Sequence, residues 1–303
     1  MTATPPADAL VGAVEAGGTK FRCALVRDDG DVLAECRIPT TEPQATLGRV
    51  VEFFAETQRR FGAARAFGIG TFGPADLDPR SPGYGRLLMT PKPGWAGVDV
   101  RKPLIERFGR PVALDTDVNA AALAEAERGA GRGFRSLAYV TVGTGIGGGV
   151  IFDGRLRYGA MHPEMGHIVV RRDPRDREFA GVCPFHGDCL EGLASGPAIR
   201  ARWGRPLDAL DDHGEALDII GGYLAQLVVS LARLTACERI VIGGGVMTDG
   251  ALLPRVRAAA SRLVNGYWPV ARGDATLTEY LVPPALGERS GITGAALLAQ
   301  RMR

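Results

Sequence analysis

Cys183, His186 and Cys189 stand three residues apart within CPFHGDCLEG, residues 183–192. Two thiols and an imidazole at that spacing suit zinc, which takes four N or S donors in a tetrahedron. The fourth donor has to come from elsewhere, and the only histidines are His162, His167, His186 and His213. His213 lies in the polar turn LDDHGEA and His162 precedes a proline, which leaves His167. Four protein ligands leave no open position for water, so such a zinc is structural. The competing reading is a metal-free loop with two buried thiols.

Phosphate chemistry is the second candidate. The 42 glycines cluster after apolar runs, notably in Gly17-Gly18-Thr19-Lys20, in GTGIGGG from Gly143, and in Gly243-Gly244-Gly245. GTGIGG satisfies the dinucleotide pattern G-x-G-x-x-G, but that fold needs a helix opening at the last glycine. Here VIFDGRL continues as a second strand closed by an Asp-Gly turn, and a Walker loop occurs nowhere. What remains is two β-hairpins with Gly-Thr tips, whose N–H groups and hydroxyls form anion-binding nests. The third cluster, between a strand and a helix, offers bare backbone to a flat base or ribose. Asp117, directly after VALDT, has two compatible roles. It can cap the following helix, and it can act as a general base where ligand crevices open at a strand's carboxyl end. Asp115 is the alternative base.

These residues need elements to hold them. Apolar runs predict strands at 10–16, 21–27, 31–38, 66–72, 112–115, 136–142 and 239–243. Helical periodicity predicts helices at 43–60, 118–130, 215–235, 249–264 and 290–303. VEAGGTKFRCALVRDDGDVLA and VTVGTGIGGGVIFDGRLRYG are one supersecondary unit used twice, about 125 residues apart, which points to duplicated lobes. The expected division is a disordered tail at 1–9, a small lobe at 10–117 joined by helix 290–303, and a larger lobe at 118–289 with the zinc loop.

Thirty-six basic against 34 acidic residues leave +2, which argues against a nucleic-acid or membrane-surface partner. No apolar run is expected to approach the roughly 20 residues of a membrane span. MTATPPADAL reads as a polar tail and not as a signal peptide. Five cysteines, with Cys23, Cys36 and Cys237 in apolar runs, fit a reducing cytoplasm.

EAGGTK, GPADL, TPKPGW, DTDVNAAAL, HPEMGH and the Cys/His segment occur in this order. Together they resemble the ROK family of sugar kinases, within the actin-like ATPase superfamily, and its bacterial fructokinase branch in particular. The likeness covers nearly the whole chain. It implies an α/β, actin-like (ribonuclease H-like) duplicated fold, with two lobes around a nucleotide/sugar cleft. It implies ATP and Mg²⁺ as cofactors, a hexose substrate with fructose favoured, and a homodimer. Asp117 becomes the general base. Gly17, Gly18, Thr19 and Lys20 form one phosphate loop, and Gly143, Thr144, Gly145, Gly147 and Gly148 the other. Gly243, Gly244, Gly245 and Val246 lie near adenosine. Asn119, Glu164, His167 and Glu191 become sugar ligands, and His167, Cys183, His186 and Cys189 the zinc ligands.

The chain departs from the family pattern in places. Glu15 stands where the wider family has Asp; its longer side chain can still hold hydrated Mg²⁺ through water. His186 replaces a cysteine that most members carry. Thr116 replaces the Asn of many glucose-specific relatives, which favours a broader or ketose-accepting pocket. TPKPGW (90–95) is either a wall of the cleft or a hydrophobic loop under the lobe. Glucokinases, mannokinases and amino-sugar kinases share the scaffold. So do repressors, but their N-terminal helix-turn-helix domain of ~50 residues exceeds what precedes the first strand here.

Overall fold

A computed structural model describes residues 9–210, 213–248, 250–267 and 273–302. All but Ala9 of the expected tail lies outside the described residues. The chain forms two compact units: residues up to Ala124 with Tyr158–His162 and the segment from Arg289 in unit 1, and Glu125–Arg157 with Pro163–Glu288 in unit 2. The division expected at 117/118 therefore falls seven residues later, inside a helix, and a short central segment joins unit 1.

In unit 1, β1 (Leu10–Ala16), β2 (Lys20–Arg27) and β3 (Val32–Pro39) form an antiparallel meander. β4 (Ala64–Thr71) and β5 (Val112–Thr116) add parallel to β1, giving the order β3-β2-β1-β4-β5. Apart from Glu15 near its end, β1 is apolar because it is covered on both sides, and its side chains alternate between them. Leu10, Val14 and Ala16 enter the cluster of Phe21, Phe54 and Phe67. Val11 and Ala13 meet Ile292, Ala295 and Ala299 of the C-terminal helix. Helix α1 (Pro43–Phe61) starts on a proline and buries Leu47, Val50, Phe54 and Thr57 on one stripe. A short α2 (Lys102–Phe108), which sequence periodicity does not predict, precedes β5, and α3 (Asp117–Arg128) follows it. The last helix, α9 (Ser290–Gln300), packs on β4 so closely that a Cβ on Gly68 would lie 1.9 Å from the Ala295 carbonyl oxygen. Any side chain at Gly68 would push α9 off the sheet.

Unit 2 repeats the plan. β6 (Leu137–Val142), β7 (Ile146–Phe152) and β8 (Arg155–Leu156) form the meander, with β9 (Arg239–Gly243) and β10 (Leu281–Val282) parallel to β6. The order β10-β9-β6-β7-β8 is that of unit 1 strand for strand. The hairpin repeat thus extends to whole sheets, beyond what the sequence alignment reached. Two short helices, α4 (Leu190–Ala194) and α5 (Gly196–Trp203), lead to the long α6 (Gly214–Thr235). Helices α7 (Leu252–Val264) and α8 (Gly273–Tyr280) separate β9 from β10.

Helix α6 corrects one expectation. It has 22 residues, and an 18-residue window within it reaches a mean hydropathy of 1.4, which is long and apolar enough to cross a membrane. Two-thirds of that window (67%) is buried, where Leu217, Ile220, Leu224 and Val228 join the core of unit 2. Apolar residues on nearly every face are what a core helix needs.

A buried ion pair anchors the loops between β8 and α4. Asp176 accepts from Arg202 Nε at 2.8 Å and Nη2 at 2.9 Å, and from the Tyr223 hydroxyl at 2.7 Å. The two charged side chains are only 3% and 8% exposed. Arg202 also lies over the Phe179 ring, 4.0 Å from its centroid. The network pins the segment before Cys183 to α5 and α6.

Candidate active site and metal centre

In unit 2, four ligand atoms converge. His167 ends a short turn, Met165–His167. Cys183 and Gly187 exchange two backbone hydrogen bonds (3.1 and 2.9 Å), a tight turn that also presents His186. Cys189 precedes the first residue of α4. The ligand atoms of His167, Cys183, His186 and Cys189 all lie within 4.8 Å of one another. His167 Nδ1 is 3.5 Å from Cys189 Sγ and 3.7 Å from Cys183 Sγ, and His186 Nδ1 is 3.6 Å from Cys183 Sγ. Zn–S of about 2.3 Å and Zn–N of about 2.05 Å, subtending a tetrahedral angle, give an N···S edge of about 3.6 Å. The donor set and its edges therefore fit zinc. Burial pushes the Cys189 thiol up to about 11, so without a cation it stays protonated at neutral pH.

The segments that carry these four side chains are stitched to the second glycine loop. Leu190 N–H donates to the Ile168 carbonyl (3.0 Å), joining α4 to HPEMGH. Glu191, on α4, accepts from Ile146 N–H at 2.8 Å. A Cβ on Gly145 would lie 2.6 Å from that carboxylate, so only glycine lets the hairpin tip come this close. Gly196 N–H donates to the Gly143 carbonyl at 2.8 Å. Glu164 is near enough to Glu191 to feel its charge; although the residue is exposed overall, desolvation of its carboxyl first, and then that repulsion, push it up to about 7. Gly143, Thr144 and Gly145 form the tip between β6 and β7, while Gly147 and Gly148 lie within β7. A pocket beside Gly245 and Val246 is walled by Gly196, Ile199, Arg200 and Leu207. Sequence reading found the glycines there but not the α5 wall, which nothing local marks.

In unit 1, the first glycine loop joins β1 to β2. Gly17 N–H donates to the Lys20 carbonyl (3.0 Å), and Thr40 binds the loop twice, from Oγ1 to the Gly17 carbonyl (2.7 Å) and from N–H to the Thr19 carbonyl (3.0 Å). Gly18 and Thr19 are exposed, and their N–H groups meet no backbone acceptor among the described residues. Glu15 faces Arg22, whose Nη1 is 3.9 Å away, and the first turn of α9, where a Cβ on Gly291 would lie 2.4 Å from Glu15 Oε1. A carboxylate already balanced by a cation and a helix N-terminus suits contact with a metal's water better than direct ligation.

The DTDVN segment corrects three expectations. The α3 cap is Thr116, whose Oγ1 accepts from Asn119 N–H at 3.1 Å, and not Asp117. Thr116 is buried in this conformation. Asn119 is fully buried and donates to Asp115 Oδ1 at 2.7 Å, while its Oδ1 meets no partner among the described residues. It orients Asp115 in this conformation and does not present itself to a ligand. Asp115 also accepts from Thr116 N–H (2.8 Å) and from the Tyr158 hydroxyl, a contact between distant segments that sequence reading missed. Burial raises its pKa, and its oxygens are engaged, which disfavours the alternative base. Asp117 is half-buried at the start of α3, with Oδ1 2.9 Å from Val118 N.

In TPKPGW the aromatic turns inward, as the second of its two readings has it, while Pro91, Pro93 and Gly94 stay exposed. Trp95 is fully buried between Phe21 and Phe72, ring centroids 5.5 Å from each, and donates from Nε1 to the Thr41 carbonyl at 2.9 Å. It props Thr40 and Thr41, which in turn hold the first glycine loop.

The profile of the ROK family matches residues 11–302. The chain belongs to the ROK family. It is similar to the fructokinase of Zymomonas mobilis subsp. mobilis, at 47% identity over 96% of each chain. A putative fructokinase of Bacillus subtilis is 41% identical over 96% of each. Among solved structures, a ROK hexokinase from Thermus thermophilus superposes with a TM-score of 0.74 at 30% identity, covering 96% of this chain and 97% of that one. The ROK likeness and the two equivalent sheets place the fold with the actin-like ATPases.

Proposed function

We propose that this ROK protein is an ATP-dependent hexokinase-type phosphotransferase that converts fructose to fructose 6-phosphate. The observation that carries the substrate is the near-full-length identity of 47% to a fructokinase. Asp117 takes the proton of the hexose 6-hydroxyl as that oxygen bonds to the γ-phosphorus. The bond from phosphorus to the β,γ-bridging oxygen breaks, and ADP leaves with the electron pair. The N–H groups of Gly18 and Thr19, and the tip at Gly143–Gly145, spread charge on phosphoryl oxygens. Mg²⁺, when bound, would neutralise phosphate charge, and Glu15 is the carboxylate that would hold its hydrated form. Glu164 and Glu191 accept hydrogen bonds from sugar hydroxyls. His167 would hold zinc through Nδ1, the nitrogen that faces Cys183 and Cys189, which would leave Nε2 for a sugar hydroxyl and fix the ring's orientation. The pocket beside Gly245 and Val246 takes adenosine. Ligand thiols persist in a reducing compartment, so the reading places the enzyme in the cytoplasm; the homodimer expected from the resemblance belongs to the same reading.

Two tests follow directly. Purified enzyme with ATP and Mg²⁺ is assayed on fructose, mannose, glucose and N-acetylated amino sugars. The highest kcat/KM is expected for fructose; a higher value for any other sugar removes the substrate assignment. The second concerns pH. Glu164 binds hydroxyls best when ionised, and its pKa is raised to about 7. The KM for fructose is expected to climb as pH falls from 8 to 6, and E164Q flattens that profile while raising KM throughout. A raised carboxyl also disfavours the folded state as pH rises from the ordinary carboxylate range towards 7, so Glu164 adds no stability at neutral pH. A wild-type KM independent of pH over this interval would contradict its role.

A further inference from the structure

Lys92 sits between Pro91 and Pro93 in TPKPGW, a segment whose only aromatic, Trp95, is buried. The backbone there is set by two prolines, by Lys92 N–H donating to Thr90 Oγ1 (3.3 Å), and by Trp95 N–H donating to the Lys92 carbonyl (3.3 Å). Lys92 is thus a half-buried cation on a stiff support. Its hydrogen-bond partner is neutral: Nζ donates to the Thr40 carbonyl at 3.2 Å, and no carboxylate pairs with it among the described residues. A partly desolvated ammonium with a single neutral acceptor keeps two N–H groups and its charge for something else.

The position says what that is. Thr40 N–H donates to the Thr19 carbonyl. In an antiparallel ladder the return bond runs from Thr19 N–H to the Thr40 carbonyl. That carbonyl is instead taken by Lys92, so the ammonium stands at the edge of the loop where the Thr19 amide has no partner among the described residues. We propose that Lys92 is a phosphoryl-binding residue, its ammonium meeting the γ-phosphate of a nucleoside triphosphate beside the Gly18 and Thr19 amides. This rests on the kinase reading, in which Gly17–Lys20 is a phosphate loop. TPKPGW then acts in two ways, with Trp95 supporting the loop from below and Lys92 adding charge at its rim. A rigidly presented cation stabilises the transferring group at little entropic cost.

The test separates a contact with the γ-phosphate from mere support of Thr40. Binding of β,γ-imido-ATP and of ADP, each with Mg²⁺, is titrated calorimetrically into wild type, K92M, K92Q and K92R. Lys92 bound to the γ-phosphate predicts that K92M and K92Q weaken the triphosphate analogue by about tenfold, the size of one charge-assisted hydrogen bond. ADP binding stays within about twofold by the same argument, and K92R recovers most of the loss. Equal weakening of both nucleotides, or of neither, overturns the assignment. Wild type that binds neither nucleotide overturns the kinase reading, and this assignment with it.

Discussion

Asp117→Asn is expected to lower kcat by about 1,000-fold, the range in which a positioned general base contributes. The KM for fructose should change little, because the amide keeps the shape and polarity of the side chain. Folding should be intact, since the α3 cap is the Thr116 hydroxyl and not the Asp117 carboxylate. Asp115→Asn gives the contrast. That carboxylate accepts from Thr116, Asn119 and Tyr158, so an amide nitrogen in its place would face donors, and the loss would register as a lowered Tm. Stopped activity in D117N with an unchanged melting curve, beside a destabilised D115N, is the pattern the geometry requires. D117N with turnover near wild type would remove the base assignment.

Loss of the metal is expected to have the second-largest effect. Structural zinc binds with an apparent free energy of about 10–16 kcal/mol, which exceeds the whole stability of many domains. Purified protein should carry one zinc per chain. Cys183→Ser or Cys189→Ser should abolish that stoichiometry and lower kcat/KM for fructose by at least about 100-fold, the upper range for disturbed metal-site neighbours. Binding of ADP should suffer far less, because the pocket beside Gly245 contains none of the four ligands. The metal must also displace a proton from Cys189, whose burial holds its thiol near 11 in the absence of a cation. Zinc retention should therefore weaken as pH falls, and protons should be released when metal is added back. Metal-free protein with full activity after chelation would refute the structural role of the zinc.

Much of this was legible in the sequence because it depends on local order. Strands with apolar runs, such as Leu10–Ala16 and Arg239–Gly243, announce themselves, and so do hairpins closed by Gly-Thr or Asp-Gly turns. The grouping of His167 with Cys183, His186 and Cys189 was legible because cysteines and histidines are few in this chain, and their ligand atoms do converge. Short helices escaped for the opposite reason. Leu190–Ala194 and Lys102–Phe108 span too few turns to show a period, and packing holds them. Contacts between distant segments were also hidden. Nothing in Asp176, Arg202 and Tyr223 taken singly foretells a buried network, and nothing in Tyr158 foretells Asp115. The readings that needed revision concern side-chain direction within correctly placed elements. The capping role passed from Asp117 to its neighbour Thr116, Asn119 turned inward, and Trp95 went under the loop.

The measurement closest to the central claim is a competition. Enzyme, Mg²⁺ and ATP are mixed with equal concentrations of fructose, glucose and mannose, and the phosphomonoesters formed are resolved by ³¹P NMR. The account predicts fructose 6-phosphate as the dominant early product, matched mole for mole by ADP. A phosphate on another carbon of fructose, a dominant ester of another sugar, or no phosphomonoester at all would contradict it.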